Sequence, residues 1–199
     1  EFRRVLFRSV HVEPCTSEAS AAAMLGASIV YPVRGAVSWK SVVGTNVASD
    51  ALSYLSTAGV MGGALVVVGE DYGEGASIAL ERTLAFALKS SIWMLDPRPN
   101  LTSITDMVEK GFELSEASNS PVMLALRIRA CHVKGSFTTR ANRAATLSAA
   151  HPMDEPAAFL YERLSHPPET FRQEKLKAEV RLPAARRLDR KSTRLNSSH

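Results

Sequence analysis

Gly63-Ala64-Leu65-Val66-Val67-Val68-Gly69 is the stretch on which the fold turns. It is a short, unbroken apolar run rich in β-branched residues and bounded by glycines. Alternation of apolar and polar residues would mark a strand with one wet face. An unbroken run marks a strand covered on both faces, as in the middle of a parallel sheet. The run is far too short to cross a bilayer, and no other segment reaches that length.

Outward from this strand, the pattern alternates. Toward the N-terminus, Gly35-Ala36-Val37-Ser38-Trp39 reads as a strand, followed by the turn Val42-Val43-Gly44-Thr45. Thr45 or Asn46 is expected to cap a helix running to about Ala58, with Gly59 in the position after its last turn. Before these, Thr16 or Ser17 caps a helix over residues 18–28. That helix is small and apolar on nearly every side, a composition suited to burial all round. Toward the C-terminus come a glycine-rich acidic loop (Glu70, Asp71, Glu74), a helix near residues 81–89 and a strand at residues 92–95. A long helix over about residues 101–117 and a strand over residues 121–129 follow. Strand and helix in alternation predict an α/β fold, a parallel sheet with helices on both faces and right-handed crossovers. Beyond residue 140 the periodicity fades, and Gln173 to Arg181 reads as a charged helical piece.

The two ends read differently from the rest. Asp189-Arg190-Lys191-Ser192-Thr193-Arg194-Leu195-Asn196-Ser197-Ser198-His199 back-translates to a common sequencing-library adapter. The reverse complement of that DNA encodes Glu1-Phe2-Arg3-Arg4-Val5-Leu6-Phe7-Arg8-Ser9. Residues 1–9 and 189–199 are therefore expected to be adapter-derived scars, set aside before any physical reading. Residues 10–140 are expected to form one α/β domain, with its N-terminal strand and loop missing, and residues 141–188 a connector toward a missing domain. Each scar carries a net charge of +2, which accounts for the whole formal charge of +4. The remaining residues are neutral, so the case for a nucleic-acid or anionic-membrane partner loses its main support. Cys15 and Cys131 match no zinc spacing and no disulfide framework, which makes a reducing cytoplasm the expected location.

In an open parallel sheet, ligands bind beyond the carboxyl ends of the strands. That rule points to the segments around Lys40–Asn46 and Gly69–Gly75, neither of which holds a dinucleotide or P-loop fingerprint. A generic nucleotide-binding domain is therefore not supported. Glu18 stands at the first turn of an apolar helix. In solvent it would simply complement the helix dipole. Against another domain, the same carboxyl could hold or share a proton with a neutral heterocycle. Periodicity leaves both readings open.

Thr16-Ser17-Glu18-Ala19-Ser20-Ala21-Ala22-Ala23 is similar to the glutamate-bearing segment of the pyrimidine-binding domain in thiamine diphosphate-dependent 2-oxoacid:ferredoxin oxidoreductases. Trp39-Lys40-Ser41-Val42-Val43-Gly44-Thr45-Asn46-Val47-Ala48-Ser49-Asp50 resembles the matching segment of the indolepyruvate:ferredoxin oxidoreductase alpha-subunit family. The segments at residues 62–68, 112–116, 121–124 and 129–132 agree in order and spacing. The resemblance implies an oxidoreductase that decarboxylates aryl pyruvates, indolepyruvate-like 2-oxo acids, to acyl-CoA with thiamine diphosphate, and with ferredoxin as acceptor. It assigns Glu18 the catalytic and cofactor-binding role at the aminopyrimidine. Lys40 and Asn46 are candidates to face cofactor or substrate, beside plainer readings as a surface lysine and a helix cap. His132 follows a strand and is a weaker candidate.

The family's Gly-Asp-Gly segment for diphosphate and magnesium, and its cysteine-rich iron–sulfur region, do not occur among these residues. Those groups are expected to be bound elsewhere in the parent, with a beta subunit and alpha–alpha pairing as implied partners. Alone, this stretch is expected to be catalytically silent. The alternative reading is a non-catalytic α/β interaction module of a thiamine-type complex.

Overall fold

The computed structural model describes Val10 and residues 12–71, 79, 82–141, 161–163 and 166–188. The chain enters α1 (Glu18–Leu25), continued by a 3-10 turn at Gly26–Ile29, then β1 (Gly35–Lys40) and a π-helical turn at Ser41–Thr45. Next come α2 (Ser49–Ala58), β2 (Ala64–Glu70), α3 (Thr83–Ser90), β3 (Trp93–Leu95), α4 (Leu101–Ser118) and β4 (Val122–Arg127). A short α5 (Ile128–Cys131) follows, and later α6 (Glu169–Leu176), which passes through a π turn at Lys177–Arg181 and stays helical over residues 182–188.

The four strands form one parallel sheet in the order β1-β2-β4-β3. From β1 to β2 and on to β3 the chain advances across the sheet, and from β3 to β4 it turns back. With right-handed crossovers, the first two connections must lie on one face and the third on the other. The cores follow that rule. Ala64, Val66 and Val68 of β2 pack with α1, α2 and α3 through Ala22, Leu25, Leu52, Leu55 and Ala87. Leu65 and Val67 pack on the opposite face with Met107, Val108, Phe112 and Leu114 of α4. Val66 and Val68 are both 0% exposed, which is the burial the unbroken apolar run predicts.

Three details differ from the sequence reading, each for a local reason. β4 stops at Arg127, because its partner β2 ends in register there, Glu70 opposite Arg127. Ile128 and Arg129 therefore turn into α5. Neither Thr45 nor Asn46 caps α2, whose N-cap is Ala48 without a side-chain bond. Asn46 Nδ2 donates back to Val42 O at 2.9 Å, inside the π turn. The predicted Ser17 cap forms, with Ser17 Oγ accepting from Ser20 N at 3.2 Å. The helix it opens is buried on one face only: Ala22 and Leu25 are inside, whereas Met24 is 51% exposed. The helix start expected at Glu81 lies outside the described residues.

Residues 166–188 are held tightly against this body. Arg181, 6% exposed, donates to Ser56 O, Thr57 O (2.7 Å) and Gln173 O (2.7 Å). A guanidinium on the last carbonyls of α2 satisfies acceptors that the helix itself leaves open. Gly59, at φ 72°, makes this possible: a Cβ there would overlap the Arg181 head group. Ala185 is 0% exposed and Leu188 packs in the α4 core.

Candidate functional site

All four strands run the same way, so their carboxyl ends share one rim: Lys40, Glu70, Leu95 and Arg127. The rim is shaped first by the π turn after β1. Trp39 Nε1 donates to Thr45 Oγ1 at 3.2 Å, so the indole pins the turn from beneath. Gly44 leaves the room that this requires, since a Cβ there would overlap the indole. π-helical turns are often found at functional positions. This one carries Ser41 and, at its exit, Asn46.

The acidic segment after β2 is not a simple solvated turn. Glu70 is 7% exposed and its Oε1 accepts from Thr83 N at 2.7 Å, so a carboxylate of β2 caps the start of α3. Asp71 Oδ2 pairs with Lys40 Nζ at 3.2 Å, joining the carboxyl ends of β1 and β2. Tyr72, Gly73, Glu74 and Gly75, named with this loop, lie outside the described residues. Cys131 donates to Leu126 O at 3.5 Å. Burial pushes its thiol pKa up, and the Asp71 charge adds to the shift. The thiol is therefore protonated and weakly nucleophilic at neutral pH, in keeping with an inert role.

Glu18 opens α1. Leu25, at the far end of that helix, sits against Gly35 at the amino end of β1. α1 also packs along β1 and reaches the Ser41–Thr45 turn. The helix thus runs antiparallel to the strand and carries Glu18 about 10 Å back toward the carboxyl rim. The side chain is half-buried, and among the described residues no hydrogen bond or ion pair engages its carboxylate.

Of the three expected site residues, Glu18 and Lys40 lie toward the same rim without touching. Lys40 is committed to Asp71, while Asn46 is exposed and folded onto its own turn. His132 is exposed just after α5. Sequence reasoning missed Ser41, Glu70 and Thr83 as buried polar residues of this rim. The signal was available in the strand period: Ser41 continues the inward set Val37, Trp39, and Glu70 continues Ala64, Val66, Val68.

A flat, neutral heterocycle needs one acceptor beside small apolar side chains. Glu18 next to Ala19, Ala21 and Ala22 offers that chemistry, and its carboxylate has no competing partner among the described residues. The residues thus fit the pyrimidine side of the cofactor. Among the described residues no group of three or more His, Cys, Asp or Glu side chains is arranged to hold a metal ion. No helix among them is long and apolar enough to cross a membrane.

Two curated relatives match 93 residues of this chain. Indolepyruvate oxidoreductase subunit IorA of Pyrococcus horikoshii is 36% identical, and the subunit of the same name from Pyrococcus abyssi is 37% identical. Each match covers 47% of this chain and 14% of the relative, so the chain corresponds to a small part of those proteins. No protein-family model matches the chain.

Proposed function

Over its matched residues the chain belongs to the alpha-subunit family of the indolepyruvate oxidoreductases, and from that premise we propose that it supplies the pyrimidine-facing half of a thiamine diphosphate site. The parent is an oxidoreductase subunit. The finer reaction we assign to it is decarboxylation of an aryl pyruvate to acyl-CoA with electrons passed to ferredoxin. A beta subunit and a second alpha subunit are the proposed partners, and magnesium and iron–sulfur clusters would be bound by other parts of the parent.

The observation that carries this reading is Glu18: a half-buried carboxylate on a helix of small residues that runs toward the rim, with no protein partner among the described residues. Thiamine diphosphate, when bound, supplies an acidic thiazolium carbon and an electron sink. The part of this chain is narrower. Glu18 would accept a hydrogen bond from a protonated ring nitrogen and hold the proton at that atom, as a positioned general acid–base group does. The Ser17 cap and the burial of Ala22 and Leu25 fix the first turn of the helix on which Glu18 stands. Asp71 holds the Lys40 ammonium at the rim, where it would face an anionic substrate or cofactor group. Asn46 would meet the same ligand from the exit of the π turn.

In the full-length protein, Glu18→Gln should leave thiamine diphosphate bound while lowering turnover about a hundredfold or more. Full activity in that variant would remove Glu18 from the mechanism.

One observation favours the interaction-module reading. A groove of ≈ 630 Å³ lined by Ala22, Ala23, Ile29, Ala51 and Tyr54 runs between α1 and α2 beside the exposed Met24. A module of that kind would tolerate Glu18→Gln but lose subunit assembly on Ala23→Glu.

A further inference from the structure

The β1–β2 register ends with Lys40 opposite Gly69, and the turn that Ser41 opens packs against β2 and α3. Ser41 and Glu70 continue the inward alternation of their strands, onto the face covered by α2 and α3. Ser41 is 2% exposed, Glu70 7% and Thr83 2%. Thr83 N, at the start of α3, donates to Glu70 Oε1. The three side chains are thus buried polar groups of adjoining elements under the rim.

Two of them are unsatisfied by the protein. Ser41 Oγ and Thr83 Oγ1 are fully buried and have no hydrogen-bond partner. A buried hydroxyl left in that state costs about as much as a lost hydrogen bond, and native structures almost always avoid it. Neither hydroxyl reaches the carboxylate directly, or that bond would relieve it. The missing partner must accept from hydroxyls and donate to a carboxylate. A cation satisfies the oxygens but would sit at the positive end of α3. A water molecule meets both demands without charge, and two to four polar partners are what a buried water requires.

We propose that Ser41, Glu70 and Thr83 hold a buried water molecule that ties the end of β1 to the start of α3. The site is independent of the reading given to Glu18. It makes the turn between Lys40 and Asn46 part of a hydrogen-bonded frame rather than a free loop.

Water-selective nuclear Overhauser spectroscopy on the 199-residue chain tests this. A long-lived water should cross-relax with the Thr83 amide proton. Ser41→Ala and Thr83→Val should each abolish that signal and lower the folding equilibrium constant about fivefold. The double variant should lose much less than the product of the two, because one molecule serves both hydroxyls. Thr83→Ser, which keeps the hydroxyl, should keep the signal, and it stands in should Thr83→Val not fold. A parent chain without the cross-peak would overturn the proposal, as would a Ser41→Ala variant as stable as the parent or more so. Coupling between the substitutions without a water signal would overturn it too, in favour of a direct hydroxyl–carboxylate bond.

Discussion

At the amino end of the sheet, many polar groups find protein partners, although Ser90 Oγ and Trp93 Nε1 are buried there without one. Arg181 caps the last carbonyls of α2, and Asn119 trades two hydrogen bonds with Val60. Ser115 Oγ accepts from Ala64 N at 2.9 Å and donates to Ser120 O at 2.6 Å. Arg34 grips Glu116 with two bonds while its guanidinium lies over the Phe112 ring. The carboxyl end has ion pairs of its own, Lys40 with Asp71 and Arg127 with Asp96, beside groups that the protein leaves unpaired. Glu18 has no protein partner among the described residues, and the Ser41 and Thr83 hydroxyls have none. Both rims mix fastened and unfastened groups, and what sets the carboxyl side apart is the half-buried Glu18 carboxylate, which has no partner among the described residues. Open α/β sheets place their ligands at this second rim.

Substitutions at the two rims should separate stability from function. The largest loss is expected from Gly62→Ala, whose Cβ would overlap the backbone of Val33 and force the β1 approach apart. About 3 kcal/mol is expected, read as a lowered denaturant midpoint. Arg181→Met comes next: it strips the buried carbonyls of Ser56, Thr57 and Gln173 of their donor. That should cost about 2 kcal/mol and raise hydrogen exchange through α6 before the sheet opens. If Arg181→Met left α6 protected, the amino rim would not be fastened as described.

A smaller effect concerns acid. Burial alone would raise the Glu174 pKa, but hydrogen bonds from Lys177 and Thr57, with the Arg181 charge, outweigh it and hold the carboxyl below its ordinary value of 4.5. A depressed folded pKa contributes stability that is complete above the unfolded value and fades as the pH falls through the folded one. Docking of α6 should therefore weaken below about pH 4.5, and Glu174→Gln should flatten that dependence in an acid titration of helix protection. The smallest effects belong to the two exposed residues of the carboxyl rim. Lys40→Met and Asn46→Ala should move stability by no more than about 0.5 kcal/mol, since both side chains are largely exposed. A loss several times larger in a melting experiment would place these residues in the frame of the fold instead.

The amino acids announced the sheet more plainly than the rim. Ala64 to Val68 read as a strand covered on both faces, and α4 followed from its apolar spacing. Asn119, which ends α4 in the left-handed region at φ 49°, was a local stop that the sequence reading did not single out. The docking of Arg181 on α2 was not readable, because it joins residues 125 positions apart through main-chain carbonyls that carry no side-chain signature. The cap on α3 failed for the same reason. Its acceptor is Glu70, thirteen residues upstream on a strand, where an acidic loop was the natural reading. Glu18 was found through resemblance to a family, and its alanine-rich neighbours alone left its role open.

Exchange of the thiazolium carbon proton of thiamine diphosphate bound to the full-length protein tests the central claim most directly. With Glu18→Gln, the cofactor should stay bound and the exchange rate should fall about a hundredfold. An unchanged rate with bound cofactor would show that this carboxylate does not govern the ring.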